Sequence, residues 1–162
     1  MPKSKTNPRR IPVSPSERER IRRKALKDCW AILFTVLADK EGYGVKKLHS
    51  LWEQVNATSK RIISGETDFD TIVNSLNTQY GIEVRRVLHG AENNADSVRK
   101  TFEAKAWAIM LTALRTLDDL SEADLKRVWK EIIDAEDSRK RGYFKTSDLI
   151  NTLYDEQKVR LT

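Results

Sequence analysis

Arg20, Arg23, Lys24 and Lys27 follow one another at spacings of three and four, so a helix carrying them places all four cations on one face. Such a ridge suits phosphate contact without base recognition, because neutralising a nucleic-acid backbone releases condensed counterions. Lys3, Lys5, Arg9 and Arg10 lie ahead of it, and Arg139, Lys140 and Arg141 form a second basic run that reads as a loop before Gly142. These eleven side chains are the candidate nucleic-acid or partner-binding residues. The competing reading of the amino-terminal set is a solubilising tail that pairs with acidic patches on the body or on a partner.

The charge balance singles out the same region. The net charge over 162 residues is +6. Residues 1–27 hold ten Lys or Arg and two Glu, or +8, while residues 28–162 hold 20 basic and 22 acidic residues, or −2. The excess sits on an arm and not on the body, and a basic arm favours polyanions.

The glycine between two helical patterns at 137–148 invites a calcium test. With Gly142 at position 6 of an EF-hand loop, Asp137 and Asp148 stand at positions 1 and 12. Arg139, Arg141 and Lys145 then occupy positions 3, 5 and 9, where oxygen ligands belong, so the loop repels the ion. Phe144 is expected to pack against the corresponding loop of the first half of the chain. His49 and His89 have no Cys or second His at zinc spacing. Cys29, the only cysteine, lies on an apolar helical face and reads as a small buried thiol. It cannot form an internal disulfide and fits a reducing cytoplasm. Asp134, Glu136 and Asp137 read as the solvated end of a helix. No Gly-rich phosphate loop, G-x-S-x-G or H-E-x-x-H motif occurs. No catalytic residue, metal or cofactor is therefore expected.

The elements that position these residues read as all-α. Residues 1–13, with three prolines and four basic residues, are expected to form a flexible arm. Ser14-Pro15-Ser16-Glu17 starts the first helix, which runs to about Asp39. Its early turns are charged, and its later turns are apolar on more than one side. A second helix runs from Val45 to about Ser59, and a third follows an Asp68 cap and ends before Gly81. Residues 82–88 are ambiguous between strand and helix, and 83–94 are expected to form a hinge. Asn94 is the expected cap of a fourth helix, Ala95 to Leu117, whose apolar residues lie on one face. Ser121 and Thr146 are the expected caps of the fifth and sixth helices. No apolar run is long enough to cross a bilayer, and no signal sequence is expected.

The strongest pattern is internal. A shift of 77 residues lays Trp30 on Trp107 and Trp52 on Trp129 without a gap. Ten identities fall in the 54 columns from Cys29 to Ile82, including Gly65 with Gly142 and Leu76 with Leu153. The chain reads as two tandem three-helix repeats, 14–82 and 95–162, around a shared core. The tryptophans lie in apolar stripes at matching positions, so they read as core and not as base-stacking platforms.

The segments N-P-R-R-I-P-V-S, A-I-L-F-T-V-L-A-D-K-E-G-Y and L-W-E-Q-V-N resemble small uncharacterised helical proteins encoded by bacteriophages and prophages of Gram-positive bacteria. The resemblance covers mainly residues 7–82, and the second half more loosely. It implies a non-enzymatic protein that acts stoichiometrically on a host or defence protein or ribonucleoprotein, in the host cytoplasm. The alternative is a nucleic-acid-binding accessory protein that engages DNA or RNA through the arm and first helix. No membrane partner is expected, and the chain reads as a monomer or a homodimer formed by exchange at the hinge.

Overall fold

The computed structural model describes residues 13–84 and 94–157, and these are built from six α-helices with no strand among them. They are α1 (Pro15–Lys40), α2 (Val45–Ile63), α3 (Phe69–Tyr80), α4 (Asn94–Asp118), α5 (Glu122–Lys140) and α6 (Thr146–Gln157). Residues 1–12 of the expected arm and 85–93 of the expected hinge lie outside the described residues. None of the described helices is long and apolar enough to cross a membrane.

The caps explain where most helices begin. The Glu17 amide donates to Ser14 Oγ at 3.2 Å, and Pro15 occupies the first turn of α1, where its missing N–H costs nothing. Thr71 N–H donates to the Asp68 carboxylate at 2.8 Å, and Asp124 N–H to Ser121 Oγ at 3.2 Å. Both side chains satisfy amides that a helix leaves unpaired. Gly65 and Gly142 stop α2 and α5 with φ of +83° and +80°, where a Cβ would be strained.

Four local expectations need correction. α2 continues one turn beyond Ser59 to Ile63, because nothing breaks the helix before Ser64-Gly65 and because Ile62 packs on the core. Thr146 does not cap α6. Lys145 holds the cap position, and the Asp148 carboxylate accepts its amide at 3.2 Å, so the third helical residue reaches back to the start. Arg139 and Lys140 belong to the last turn of α5, which shortens the basic loop to Arg141-Gly142. α4 begins at Asn94, and its buried surface is wider than the expected face, with Trp107, Ala108, Leu111 and Leu114 buried beside Ala106 and Met110 and a strip through Thr101, Lys105 and Thr116 left exposed.

The reason for that wide burial is the packing order. α1 lies against α4, α5 and α6, while α4 lies against α1, α2 and α3. The two central helices therefore carry Ala25, Ala31, Ala104, Ala106, Ala108 and Ala113 at buried positions, small enough for close helix approach. Trp30 stacks on Trp52 at 4.5 Å, and Trp107 meets Trp129 edge-on at 6.1 Å. Trp30, Trp107 and Trp129 are buried and Trp52 is half-buried, and each aromatic pair adds about 0.5–1.5 kcal/mol beyond its area.

Ion pairs cross between the first three helices and the last three. Glu41, just past α1, takes Arg127 of α5 in a two-pronged pair at 3.1 and 2.9 Å. Asp118, at the end of α4, takes Lys47 of α2 at 2.9 Å and accepts from the Tyr43 hydroxyl. Each acid thus lies in one half of the chain and grips a cation of the other.

Candidate polyanion-binding groove

The basic half of α1 is where sequence-expected site residues meet. Arg20, Arg23, Lys24 and Lys27 project along one side of α1 and form a wall of a groove of about 440 Å³. Thr146 and Ser147, at the first turn of α6, form the opposite wall, with Ile150 and Asp28 completing the lining. From Arg20 to Lys27 is seven helical residues, or roughly 10 Å, enough to meet two successive backbone phosphates. The first turn of α6 adds two hydroxyls and the positive end of its peptide dipoles.

The groove cations are held loosely. Glu17 lies 3.6 Å from Arg20, and Glu19 pairs with both Arg22 (2.6 Å) and Arg23 (3.1 Å). Hydrogen bonds from Arg22 and then Arg23 keep the Glu19 carboxyl down at about 2. Lys24 reaches Asp28 at 3.2 Å, and Lys27 has no ion pair among the described residues. Exposed pairs of this sort contribute about 0–1 kcal/mol, so a phosphate competes easily for the same guanidinium or ammonium.

Asp28 is the inner edge of the groove and the outer edge of a buried ionic cluster. Its carboxylate is nearly buried between Lys24 outside and Arg139, 3.7 Å away, inside. Arg139 donates to both oxygens of Glu136 at 3.3 and 3.1 Å, and Lys140 approaches the same carboxylate at 4.0 Å. Glu103 of α4 stands nearby with Arg99 at 3.9 Å. Glu136 is 8% exposed, so the expectation of a solvated helix end fails there: α5 turns this face onto α1 and α4. Asp134 and Asp137 do remain exposed.

Arg139 is thus an internal partner, with its side chain 15% exposed, and does not line the groove. Lys140 is half-exposed and tied to Glu136, and Arg141 is exposed at the end of α5. Neither lines the groove. Lys3, Lys5, Arg9 and Arg10 lie outside the described residues. Thr146, Ser147, Ile150 and Asp28 are the contributors that sequence reasoning missed. Asp28 had one local signal, its i,i+4 relation to Lys24. The α6 residues had none, because their place depends on which helix docks on α1.

Other chemical candidates are quiet. Cys29 is buried, and desolvation followed by Glu103, Glu136 and Asp28 pushes its thiol well above the ordinary range, which disfavours the reactive thiolate. His49 sits on the exposed face of α2 with Glu53 at 3.3 Å, and His89 lies outside the described residues. No group of three or more His, Cys, Asp or Glu among the described residues is placed to hold a metal ion. Phe144 lines a second concavity with Ile32 and Val36 of α1. No protein-family model matches the chain, and no curated protein or solved structure is found to be similar to it.

The ionic cluster makes a pH prediction. Burial, and then the nearby Glu136 carboxylate, raise the Glu103 carboxyl above its ordinary value. A group raised in the folded state favours folding below its unfolded pKa, and that contribution is lost as pH rises through the folded value. Ionised Glu103 is therefore a cost at neutral pH. Glu103→Gln should raise the thermal midpoint at pH 7 by a few degrees, on the order of one kcal/mol, and the gain should shrink as pH falls to about 4. A gain that is constant from pH 4 to 8, or a loss at pH 7, counts against this assignment.

Proposed function

We propose that the protein is a non-enzymatic binding protein that acts stoichiometrically on a macromolecular partner, and that it grips a nucleic-acid phosphate backbone, bare or exposed on a ribonucleoprotein. The groove between α1 and α6 carries this reading, with four cations on one wall and the first turn of a helix on the other. The setting implied by the sequence resemblance, a phage-encoded protein directed at host or defence machinery, is part of the same proposal.

The scaffold reading that accompanies it is a tandem duplication of one three-helix unit. In support, α2 and α5 each have 19 residues and start at 45 and 122, a difference of 77. α3 and α6 each have 12 residues and start at 69 and 146, again 77 apart. The paired tryptophans, the left-handed glycines Gly65 and Gly142, and the reciprocal acids Glu41 and Asp118 fall at the same offset. An experimental structure in which α1–α3 fails to superpose on α4–α6 would overturn it.

The experiment for the binding reading uses the full chain and fluorescein-labelled 20-mers, single-stranded and duplex, read by anisotropy. Saturable binding at a fixed stoichiometry is expected at about 50 mM salt, with log affinity falling linearly against log salt by roughly 0.7–0.9 per phosphate met. Absence of any binding at that salt sinks the proposal.

A further inference from the structure

The second concavity, on the other side of α6 from the basic groove, has the character of a small-molecule site. It encloses about 420 Å³ and is walled by Ile32 and Val36 of α1, Ala135 of α5, Phe144 and Leu149. Mostly apolar pockets of this size are usual for small ligands. Its polar edge is acidic: Asp39, Glu131 and Asp134 against a single Lys40. None of the three acids makes an ion pair among the described residues. Two polar atoms of the lining, Thr35 Oγ1 and Glu131 Oε2, are buried without a hydrogen-bond partner. Thr58, Thr101 and Thr116 donate back to their own helices, so the orphaned Thr35 hydroxyl is a departure within this chain. Desolvation, and then the Glu41 charge, raise the Glu131 carboxyl against the opposing pull of Arg127 and Lys40.

The matching columns of the other half make the contrast. A shift of 77 puts Thr116 opposite Asp39, Gln54 opposite Glu131 and Ala57 opposite Asp134, so three acids face no acid at all. Ile72, the counterpart of Leu149, is buried at 6%, whereas Leu149 stays half-exposed beside the opening. Core packing imposes the apolar columns on both halves. It does not explain carboxylates gathered at one opening only.

We propose that this cleft binds a small organic cation, a primary ammonium on an aromatic or aliphatic body, with the body against Phe144, Val36 and Leu149 and the ammonium toward Glu131 and Asp134. An ammonium supplies the donors that the orphaned acceptors lack and neutralises the acidic edge. The site is separate from the basic groove, so nucleic-acid binding can fail while this proposal stands, and the reverse.

The test titrates the full-length protein with phenethylammonium, using 2-phenylethanol and 3-phenylpropionate as neutral and anionic counterparts, followed by amide and methyl NMR shifts. Saturable shifts centred on Ile32, Val36, Ala135 and Leu149 are expected for the amine. The alcohol should bind about tenfold more weakly, and the anion more weakly still. Glu131→Gln with Asp134→Asn should weaken the amine by about tenfold while leaving the alcohol unchanged. Because both substitutions are at or near the surface, they spare the core, and an unchanged far-ultraviolet spectrum verifies the fold. Equal affinity for amine and alcohol, shifts located elsewhere, no saturable shifts, or an unaffected double variant would each overturn the proposal.

Discussion

Replacing Arg20, Arg23, Lys24 and Lys27 together by glutamine should lower nucleic-acid affinity by about a thousandfold near 0.1 M salt and flatten the salt dependence by roughly three to four units of slope. The estimate follows from four phosphate contacts, each releasing close to one counterion from a duplex. The figure is reduced slightly because Glu17, Glu19 and Asp28 already share three of these cations. Glutamine retains the helical preference and the aliphatic stem, so α1 should keep its form. A matched change of Lys140 and Arg141, which stand away from the groove, should cost less than about threefold. Parallel anisotropy titrations of the two variants at several salt concentrations give the answer. Equal losses in both would mean diffuse attraction to net charge, and an unchanged quadruple variant would remove the groove from consideration.

The second large effect concerns stability. Arg139→Met should destabilise the protein by about 3–5 kcal/mol, a fall of thermal midpoint on the order of 10 °C. The loss arises because Arg139 is the cation between Asp28 and Glu136, with Glu103 close by. Removing it leaves carboxylates buried without an internal counter-charge. Adding Glu136→Gln to Arg139→Met should recover part of the loss, since one uncompensated charge goes with it. Calorimetry of both variants at pH 7 decides the matter. An unchanged midpoint in Arg139→Met, or no recovery in the double variant, would show that the cluster carries little energy.

These two predictions separate what the residues announced from what only packing could reveal. The ridge on α1 was legible because helical spacing alone brings Arg20, Arg23, Lys24 and Lys27 to one side. Most helix starts were legible for the same local reason, as with Ser14, Asp68 and Ser121. The α6 start was not, since Lys145 is no usual cap and the stabilising carboxylate comes from three residues later. Arg139 looked like a surface cation because its neighbours Lys140 and Arg141 are cations. Its true environment adds Asp28 on α1 and Glu103 on α4, which no local pattern announces, to Glu136 three residues before it on α5. The apolar periodicity of α4 suggested one inward face, and packing by α1, α2 and α3 widens it to include Ala104, Trp107, Ala108, Leu111 and Leu114, leaving a narrow exposed strip through Thr101, Lys105 and Thr116.

The way α1 rests on α4, α5 and α6 has a consequence for the newborn chain. Ribosomes deliver residues in order, so Ile32, Leu33 and Val36 emerge before the surfaces that will cover them exist. Secondary structure can form early, but lasting burial must await synthesis of α4 and the helices beyond it. Premature termination in the second half would therefore leave a sticky amphipathic stub and not a working miniature, and such stubs should be the species that chaperones capture.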